Sequence, residues 1–315
     1  MIQSCVDELA RGKVRHARYN LNWLGKGGNE QHMSVYYVNG DFVDAADAAI
    51  PASDLALLRG YGIFDFLRTY GGKPFQLGAH LRRLIRSAEL LDLHCPWDIE
   101  ELDEIVMQAL RRNNFVEAGI RLIVTGGDSL NGFMPAGESR LIVMVTPVNE
   151  MAAHYYEQGA DVVTVEMRRD MPEAKTINYI PGISAQKQAL KFNPGAVEAI
   201  YTVDGNIVEG TRSNTFIFKD GIWITPARDL LLGVTRAEVI KLIKDDGQLE
   251  LREISRAEYR SADEVILTSS SKEVMPVVKV DNVPIGNGAP GENTRKLMRA
   301  WRRMTERYAA MDGYL

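Results

Sequence analysis

Apolar residues recur at two different periods in the first half of the chain. Residues 34–45, SVYYVNGDFVDA, place an Asn-Gly pair between runs of β-branched and aromatic residues, which predicts a β-hairpin. Residues 78–93 and 98–114 carry apolar residues three and four positions apart, which predicts two amphipathic helices. Short β-rich runs at 119–127 and 139–147 predict two more strands. The first half therefore combines helices and strands.

The second half repeats this mixture of periods. β-rich runs predict strands at residues 161–167, 196–210, 215–226 and 263–270. The turn sequences VDGN and KDG lie inside two of these runs and predict hairpins there. Helical spacing predicts helices at residues 182–192, 235–246 and 291–309. The pattern as a whole predicts a two-domain fold of the α/β (α+β) class.

The predicted elements divide the chain at two places. Residues 1–32 end in a polar, glycine-rich run and are interpreted as an N-terminal extension. Residues 33–147 are predicted to form a small α+β domain and residues 148–155 a linker. Residues 156–315 are predicted to form the larger domain. A chain of 315 residues is long enough to bury two cores.

Composition excludes several classes of protein. The formal net charge of -5 and the scattered arginine pairs give no basic patch for nucleic acid. No run approaches the roughly 20 apolar residues that span a bilayer, and the N-terminus lacks the apolar run of a secretory signal. Cys5 and Cys95 are too few for a disulfide framework or a thiolate metal site. We therefore expect a cytoplasmic protein without a bound metal.

Four stretches contain candidate chemistry. Lys175 lies between a loop and a predicted helix, and Glu209 ends a β-rich run. Gly233 precedes a predicted helix whose start carries Thr235, which suits an N-cap and equally a phosphate site. Residues 268–271 place four hydroxyls in a row after a strand. Each feature alone also fits ordinary structure: a surface amine, an edge charge, a helix cap and a polar loop.

Their order along the chain resembles the class IV aminotransferases from about Tyr36 to the final helix. This pyridoxal-phosphate family includes branched-chain aminotransferases, D-amino acid aminotransferases and aminodeoxychorismate lyase. Lys175 and Glu209 stand 34 residues apart, which is the spacing of the family. The resemblance rests on FDFLRTYGGKPFQLGAHLRRLIRSAELL (64–91), Lys175 with Asn178 and Tyr179, EGTRSN (209–214), GVTR (233–236) and TSSSKEVMPV (268–277).

The resemblance implies a fold type IV enzyme with its site at the domain and dimer interface. Lys175 would bind the aldehyde of pyridoxal 5'-phosphate and move the proton during transamination. Glu209 would face the pyridine nitrogen, and Tyr179 the ring hydroxyl. Arginine suits phosphate because its donors form a rigid fork. The implied cofactor-binding set is Arg83, Lys175, Tyr179, Glu209, Ser213, Asn214, Val234, Thr235 and Ser270.

The substrate motifs depart from both well-known subgroups. Gly119 stands where branched-chain enzymes carry a tyrosine, although Arg121 is retained two positions later. Residues 131–133, Asn-Gly-Phe, replace the Arg-x-His carboxylate trap of D-amino acid enzymes. Arginines inside the motifs offer another carboxylate trap, though each also fits an ordinary ion pair. The predicted substrate-binding set is Arg59, Phe64, Arg121, Arg212, Ser270 and Ser271.

These arginines favour a D-amino acid transaminase that uses the glutamate and 2-oxoglutarate pair. A branched-chain L-amino acid transaminase is the alternative. A lyase of the aminodeoxychorismate type and a non-catalytic binding protein also stay open at this point. By resemblance, the partners are small molecules, namely an amino acid and a 2-oxo acid, and a second copy of the chain, since the family works as a homodimer or a larger homo-oligomer.

Overall fold

Antiparallel strands form a six-stranded sheet in the first half of the residues that the structure describes. The structure is a computed structural model that describes residues 34–245 and 247–311. The strands of this sheet are β1 (Val35–Val38), β2 (Asp41–Asp44), β3 (Gly62–Tyr70), β4 (Lys73–Pro74), β5 (Ala118–Thr125) and β6 (Arg140–Pro147). Their order across the sheet is β2-β1-β6-β5-β3-β4, and every neighbouring pair is antiparallel.

Two amphipathic helices cover this sheet. The helices of this half are α1 (Leu55–Arg59), α2 (Leu77–Leu90) and α3 (Ile99–Arg112). The side chains of Leu81 and Leu84 on α2 and of Leu102 on α3 belong to one buried cluster with the central strands. Asp98 and Glu101 form a capping box that fixes the start of α3. The apolar periodicity of both helices therefore reflects one shared core.

A second, mixed sheet contains ten strands. They are β7 (Ala160–Glu166), β8 (Ala196–Val203), β9 (Asn206–Gly210), β10 (Asn214–Lys219), β11 (Ile222–Thr225), β12 (Leu249–Leu251), β13 (Ile254–Ser255), β14 (Glu264–Ser269), β15 (Glu273–Val280) and β16 (Val283–Pro284). Their order across the sheet is β12-β11-β10-β14-β15-β7-β8-β9-β13, with β16 paired to β15. Strand β7 pairs in parallel with β8 and β15, and β11 pairs in parallel with β12. The helices are α4 (His154–Glu157), α5 (Ile180–Phe192), α6 (Val234–Lys244), α7 (Arg256–Arg260) and α8 (Glu292–Ala310).

All three predicted hairpins and all five predicted helices are present. Asn39 and Gly40 adopt positive φ angles of 47° and 114° between β1 and β2, as the Asn-Gly pair predicts. Strands β3 and β15 were not predicted, because they carry charged residues or a proline among their apolar ones. The predicted extension, residues 1–32, lies outside the described residues. The division at residues 148–155 stays a prediction, since the chain from Ser34 onward is one compact unit.

Within the described ranges, no helix is both long and apolar enough to cross a membrane.

Candidate active site

Backbone hydrogen bonds hold the Lys175 segment along the start of β3. The Phe64 N–H donates to the Lys175 carbonyl over 2.9 Å, and the Ile177 N–H donates to the Gly62 carbonyl over 3.1 Å. The Lys175 N–H donates to the Ser87 hydroxyl on α2 over 3.1 Å. The segment is therefore fixed on two elements of the first half, although it precedes α5 of the second half.

The Lys175 amine lies in a desolvated and positively charged environment. Its Nζ is 4.6 Å from the centre of the Phe64 ring. Burial, and next the positive charge of Arg83, lower the pKa of Lys175 to about 7, against the opposing charges of Asp65 and Glu209. A lysine with such a pKa is partly neutral near neutral pH, and a neutral amine can act as a nucleophile and a base.

Tyr179 lies four residues after Lys175 along the chain, at the start of α5. It is the N-cap residue of α5, and Pro181 occupies the first turn, where the missing N–H of a proline costs no hydrogen bond. The Tyr179 ring packs edge-on against Phe64 at a centroid distance of 5.5 Å. Burial raises the pKa of the Tyr179 hydroxyl. The ring is therefore held at a fixed position beside Phe64 as a neutral phenol.

Glu209, at the end of β9, is a buried carboxylate with three donors. Arg169 donates from Nη1 to Oε1 over 2.6 Å, and the Leu231 N–H donates to Oε2 over 3.0 Å. Asn214 Nδ2 also donates to Oε2, over 3.5 Å. Burial raises the pKa of Glu209, while the Arg169 charge opposes that shift. Arg169 is not among the predicted site residues. Its only signal was a basic residue six positions before Lys175, and its partner lies 40 residues away.

Arg83 is held by a fully buried carboxylate. Its Nε and Nη2 donate to the two oxygens of Asp65 over 2.8 and 2.7 Å, and His80 Nδ1 lies 2.7 Å from the same carboxylate. Burial alone would raise the pKa of Asp65, but Arg83 and His80 lower it well below its usual range. Arg83 Nη1 also donates to the Leu232 carbonyl over 3.4 Å. Asp65 and His80 therefore fix the direction of the Arg83 guanidinium.

The turn before α6 corrects one prediction. The helix begins at Val234 with Gly233 as its N-cap, so Thr235 is not the cap residue. The reason is the backbone, because Gly233 has the extended conformation of an N-cap residue and Thr235 is already helical. A Cβ at Gly233 would collide with Asn214 Oδ1, and Asn214 Nδ2 donates to the Leu231 carbonyl over 2.8 Å. The N–H groups of the first turn, at Val234 and Thr235, have no carbonyl partner within the helix and lie at the positive end of its dipole, where anions bind.

The hydroxyl-rich turn after β14 contacts β3 and β8. Ser270 Oγ donates to the Phe66 carbonyl over 3.1 Å. Glu198 on β8 is fully buried and accepts from Ser213 Oγ over 2.8 Å and from Lys272 Nζ over 2.9 Å. The predicted cofactor ligand Ser213 therefore uses its hydroxyl to bind Glu198. The Glu198–Lys272 pair was not predicted, because both residues lie inside runs that predict strands or loops.

Ser271 faces a different space from its neighbour Ser270. Its hydroxyl lies 3.4 Å from Ser269 Oγ. It lines a cavity of about 400 Å³ together with Arg68, Tyr156 and Trp301. No contact links it to Lys175 among the described residues. The predicted role of Ser271 in substrate binding stays a prediction.

Of the three predicted substrate arginines, Arg121 shares an aromatic neighbour with Lys175 in the described part of the chain. The Arg121 guanidinium lies 5.0 Å from the centre of the Phe64 ring, whose face Lys175 Nζ also contacts. No carboxylate pairs with it in the described part of the chain. Arg212 is exposed, and its backbone N–H bonds to Glu198. Arg59 is exposed at the end of α1.

The amine, the buried carboxylate and the anion-binding turn belong to one site. Leu231 donates to Glu209, and the neighbouring Leu232 accepts from Arg83, so one short segment joins the carboxylate to the guanidinium. The charges of Arg83 and Glu209 both act on the Lys175 amine. This donor set fits pyridoxal 5'-phosphate, which presents an aldehyde, a ring nitrogen and a phosphate. The site is that of a pyridoxal-phosphate enzyme.

Comparison with known proteins identifies the family. The family described as Amino-transferase class IV matches residues 62–280. A putative branched-chain-amino-acid aminotransferase of Methanocaldococcus jannaschii is 36% identical over 273 residues, covering 83% of this chain and 93% of that protein. The D-alanine aminotransferase of Staphylococcus epidermidis is 34% identical over 284 residues, covering 88% of this chain and all of that one.

A solved structure has the same fold. The T.th. branched-chain amino acid aminotransferase with pyridoxamine 5'-phosphate has a TM-score of 0.80 and 28% identity, covering 87% of this chain and 94% of that one. The chain therefore belongs to the class IV aminotransferases. It is a transaminase of fold type IV, and its cofactor is pyridoxal 5'-phosphate. These findings confirm the predicted family, fold class and cofactor, while the individual site residues stay predictions.

Proposed function

We propose that this class IV aminotransferase is a D-amino acid transaminase that uses the glutamate and 2-oxoglutarate pair. The observation that supports the proposal is Arg121, a partly buried guanidinium that shares the Phe64 ring with Lys175 and has no carboxylate partner in the described residues. A cation in such a place suits a substrate carboxylate, because charge-assisted hydrogen bonds to arginine are strong and directional. The similarity to the S. epidermidis D-alanine aminotransferase is consistent with this proposal.

Each residue of the site has a separate role in this proposed reaction. Pyridoxal 5'-phosphate, when bound, supplies an electron sink next to the substrate α-carbon. Lys175 would hold the cofactor aldehyde, and its amine would carry the proton to and from that carbon. Glu209 would face the ring nitrogen, and the Arg169 charge favours the ionised form of this buried carboxylate. Arg83 and the N–H groups at the start of α6 would hold the phosphate.

The substrate carboxylate would be bound by arginines from more than one place. Arg121 and Lys175 of one chain both contact the Phe64 ring. Arg212 follows Glu209 by three positions, and the Glu198 carboxylate holds its backbone. Arg59 projects from α1 and would enter the neighbouring site in a homodimer. Gly119 and Phe64 leave one wall of the pocket apolar and without the tyrosine of the branched-chain enzymes.

A homodimer is the assembly that this proposal requires. Exposed apolar side chains lie on the two segments around Arg59: Leu57 of α1 is 65% exposed, and Leu130 and Phe133 are 93% and 70% exposed in the loop of Gly132, where a Cβ would lie 3.7 Å from the Arg59 guanidinium. Apolar groups of this size on a surface mark interaction sites. We propose that this surface contacts a second copy of the chain, and that the enzyme acts in the cytoplasm.

A branched-chain L-amino acid transaminase is the second candidate. The M. jannaschii relative and the solved structure carry that name, and the comparisons support both candidates equally. In this alternative, one arginine and the N–H groups around Ser270 and Ser271 would bind the α-carboxylate. Phe64, which is 8% exposed, would line the side-chain pocket.

Half-reaction kinetics distinguish the two candidates. The purified enzyme is mixed with D-glutamate, D-alanine, L-leucine, L-valine or (R)-1-phenylethylamine, and the loss of the cofactor's absorption band is followed in each case. We expect fast conversion with D-glutamate or D-alanine and slow conversion with L-leucine. The opposite ranking would reject the D-amino acid proposal and favour the branched-chain candidate.

A further inference from the structure

Gly119 is an unexpected residue in the middle of the first sheet. It lies in β5, which pairs with β3 on one side and with β6 on the other, opposite Arg68 and Thr146. A glycine weakens a strand interior, and it usually marks a close approach of another group. Its φ is not in the left-handed region, so backbone conformation does not require a glycine here. The reason must be the space around its α-carbon.

The ring of Phe66 occupies that space. A Cβ at position 119 would lie 3.2 Å from both Cε2 and Cζ of Phe66. Contacts of 3.2 Å are shorter than the usual separation of about 3.5–4.0 Å between carbon atoms. Any side chain at position 119 would therefore move the Phe66 ring by a few tenths of an ångström. Gly119 and Phe66 are complementary, since the missing side chain leaves room for the ring.

Phe66 in turn supports Arg121. The two residues face each other in the register of β3 and β5, and the Arg121 guanidinium lies 5.4 Å from the centre of the Phe66 ring. The guanidinium also lies over Phe64, at 5.0 Å. Ser270 fixes the backbone of Phe66 through its hydrogen bond to the Phe66 carbonyl. A cation–π contact orients a guanidinium without neutralising its charge, whereas a carboxylate partner would occupy its donors.

We infer that Phe66 is a positioning residue that holds the Arg121 guanidinium ready for a substrate carboxylate, and that Gly119 is small in order to admit the Phe66 ring. This inference deepens the proposed function and rests on the carboxylate-binding role of Arg121. It explains one departure of this chain from the branched-chain enzymes. The tyrosine expected at position 119 is absent, and the ring of Phe66 on the neighbouring strand occupies the space at Gly119.

The test compares the Michaelis constant for 2-oxoglutarate among four holoenzymes: wild type, Phe66→Leu, Arg121→Met and the double variant. The amino donor is the one that reacts fastest in the half-reaction screen. We expect Arg121→Met to raise KM about tenfold or more, and Phe66→Leu to raise it roughly fivefold with kcat changed by less than about twofold. In the Arg121→Met background, Phe66→Leu should change KM by less than about twofold, because Phe66 acts through Arg121.

A matched control uses a second arginine stacked on a phenylalanine. The Arg112 guanidinium lies 4.2 Å from the centre of the Phe42 ring, far along the chain from Lys175. Phe42→Leu should leave KM for 2-oxoglutarate unchanged. Gly119→Ala retains every aromatic ring and serves as the second variant if Phe66→Leu does not fold. It should raise KM about twofold to threefold in wild type and have no effect in the Arg121→Met background.

The outcomes separate this inference from the proposed function. An unchanged KM in Arg121→Met would refute the carboxylate-binding role of Arg121 and remove the observation that supports the proposed function, which the half-reaction ranking tests separately. A raised KM in Arg121→Met, together with an unchanged KM in Phe66→Leu and Gly119→Ala, would overturn only the role of Phe66. Equal effects of Phe66→Leu in both backgrounds would also overturn it, because the ring would then act independently of Arg121.

Discussion

Lys175 shows how surroundings decide the chemistry of a residue. Lysine is usually a charged surface group, but here burial and Arg83 lower its pKa to about 7. The lysine itself could be selected from the sequence by its distance to Glu209. Arg169 and Asp65, whose charges act on the pKa of Lys175, could not be selected from the sequence. Their partners Glu209 and Arg83 lie 40 and 18 residues away along the chain and become neighbours only after folding.

The lowered pKa makes the stability of the cofactor-free protein depend on pH. The unfolded chain holds the Lys175 proton up to about its ordinary pKa of 10.5, while the folded chain loses it near 7. Unfolding therefore takes up a proton between these values, and the free energy of unfolding rises with pH in that window. We expect Lys175→Met to remove this rise in urea denaturation at about pH 7 and pH 9. Parallel pH profiles for the two proteins would contradict the prediction.

At the scale of elements, a buried ion pair joins the two loops that hold the site. Glu198 on β8 accepts from Ser213 in the loop after Glu209, and Lys272 reaches the same carboxylate from the turn that contains Ser270. Both members of the pair are almost inaccessible to solvent. Loops are normally exposed and mobile, but the Glu198–Lys272 ion pair connects these two loops.

Removing one member of this pair should be costly. Lys272→Met leaves the Glu198 carboxylate buried without its cation, and such changes typically destabilise by about 3–5 kcal/mol. We expect the double variant Glu198→Gln with Lys272→Met to be more stable than Lys272→Met alone, because no uncompensated charge stays buried. Urea unfolding of the three proteins measures this. If the double variant were the less stable of the two, the coupling between Glu198 and Lys272 would be disproved.

The elements with a regular apolar period are the ones that could be predicted from the sequence. The hairpin at Asn39 and the helices α2 and α3 could be predicted, because one face of each meets the core and the pattern records it. Strand β3 could not, because it buries Asp65 and Arg68, whose charges are balanced by distant residues. A buried charge interrupts the apolar pattern on which strand prediction depends. In β3 one of these charges is Asp65, which binds Arg83 at the candidate site.

At the scale of the whole molecule, the proposed dimer makes the exposed apolar surface part of the site. Leu57→Lys should weaken association, because it places a charge in the proposed interface, and should lower activity by removing Arg59 from the neighbouring site. Sedimentation velocity and transaminase activity measure the two effects. Val116→Lys is the matched control, since Val116 is also highly exposed, at 89%, but lies elsewhere. A fully active monomer would refute the proposal.

The central claim is that Lys175 is the residue that carries the cofactor. Borohydride reduction of the holoenzyme, followed by proteolysis and mass spectrometry, locates the pyridoxyl group on the chain. The account predicts that the group is on the peptide that contains Lys175, and that a Lys175→Arg variant carries none. Finding the group on Lys187 or Lys191 of α5 would contradict the assignment of the site.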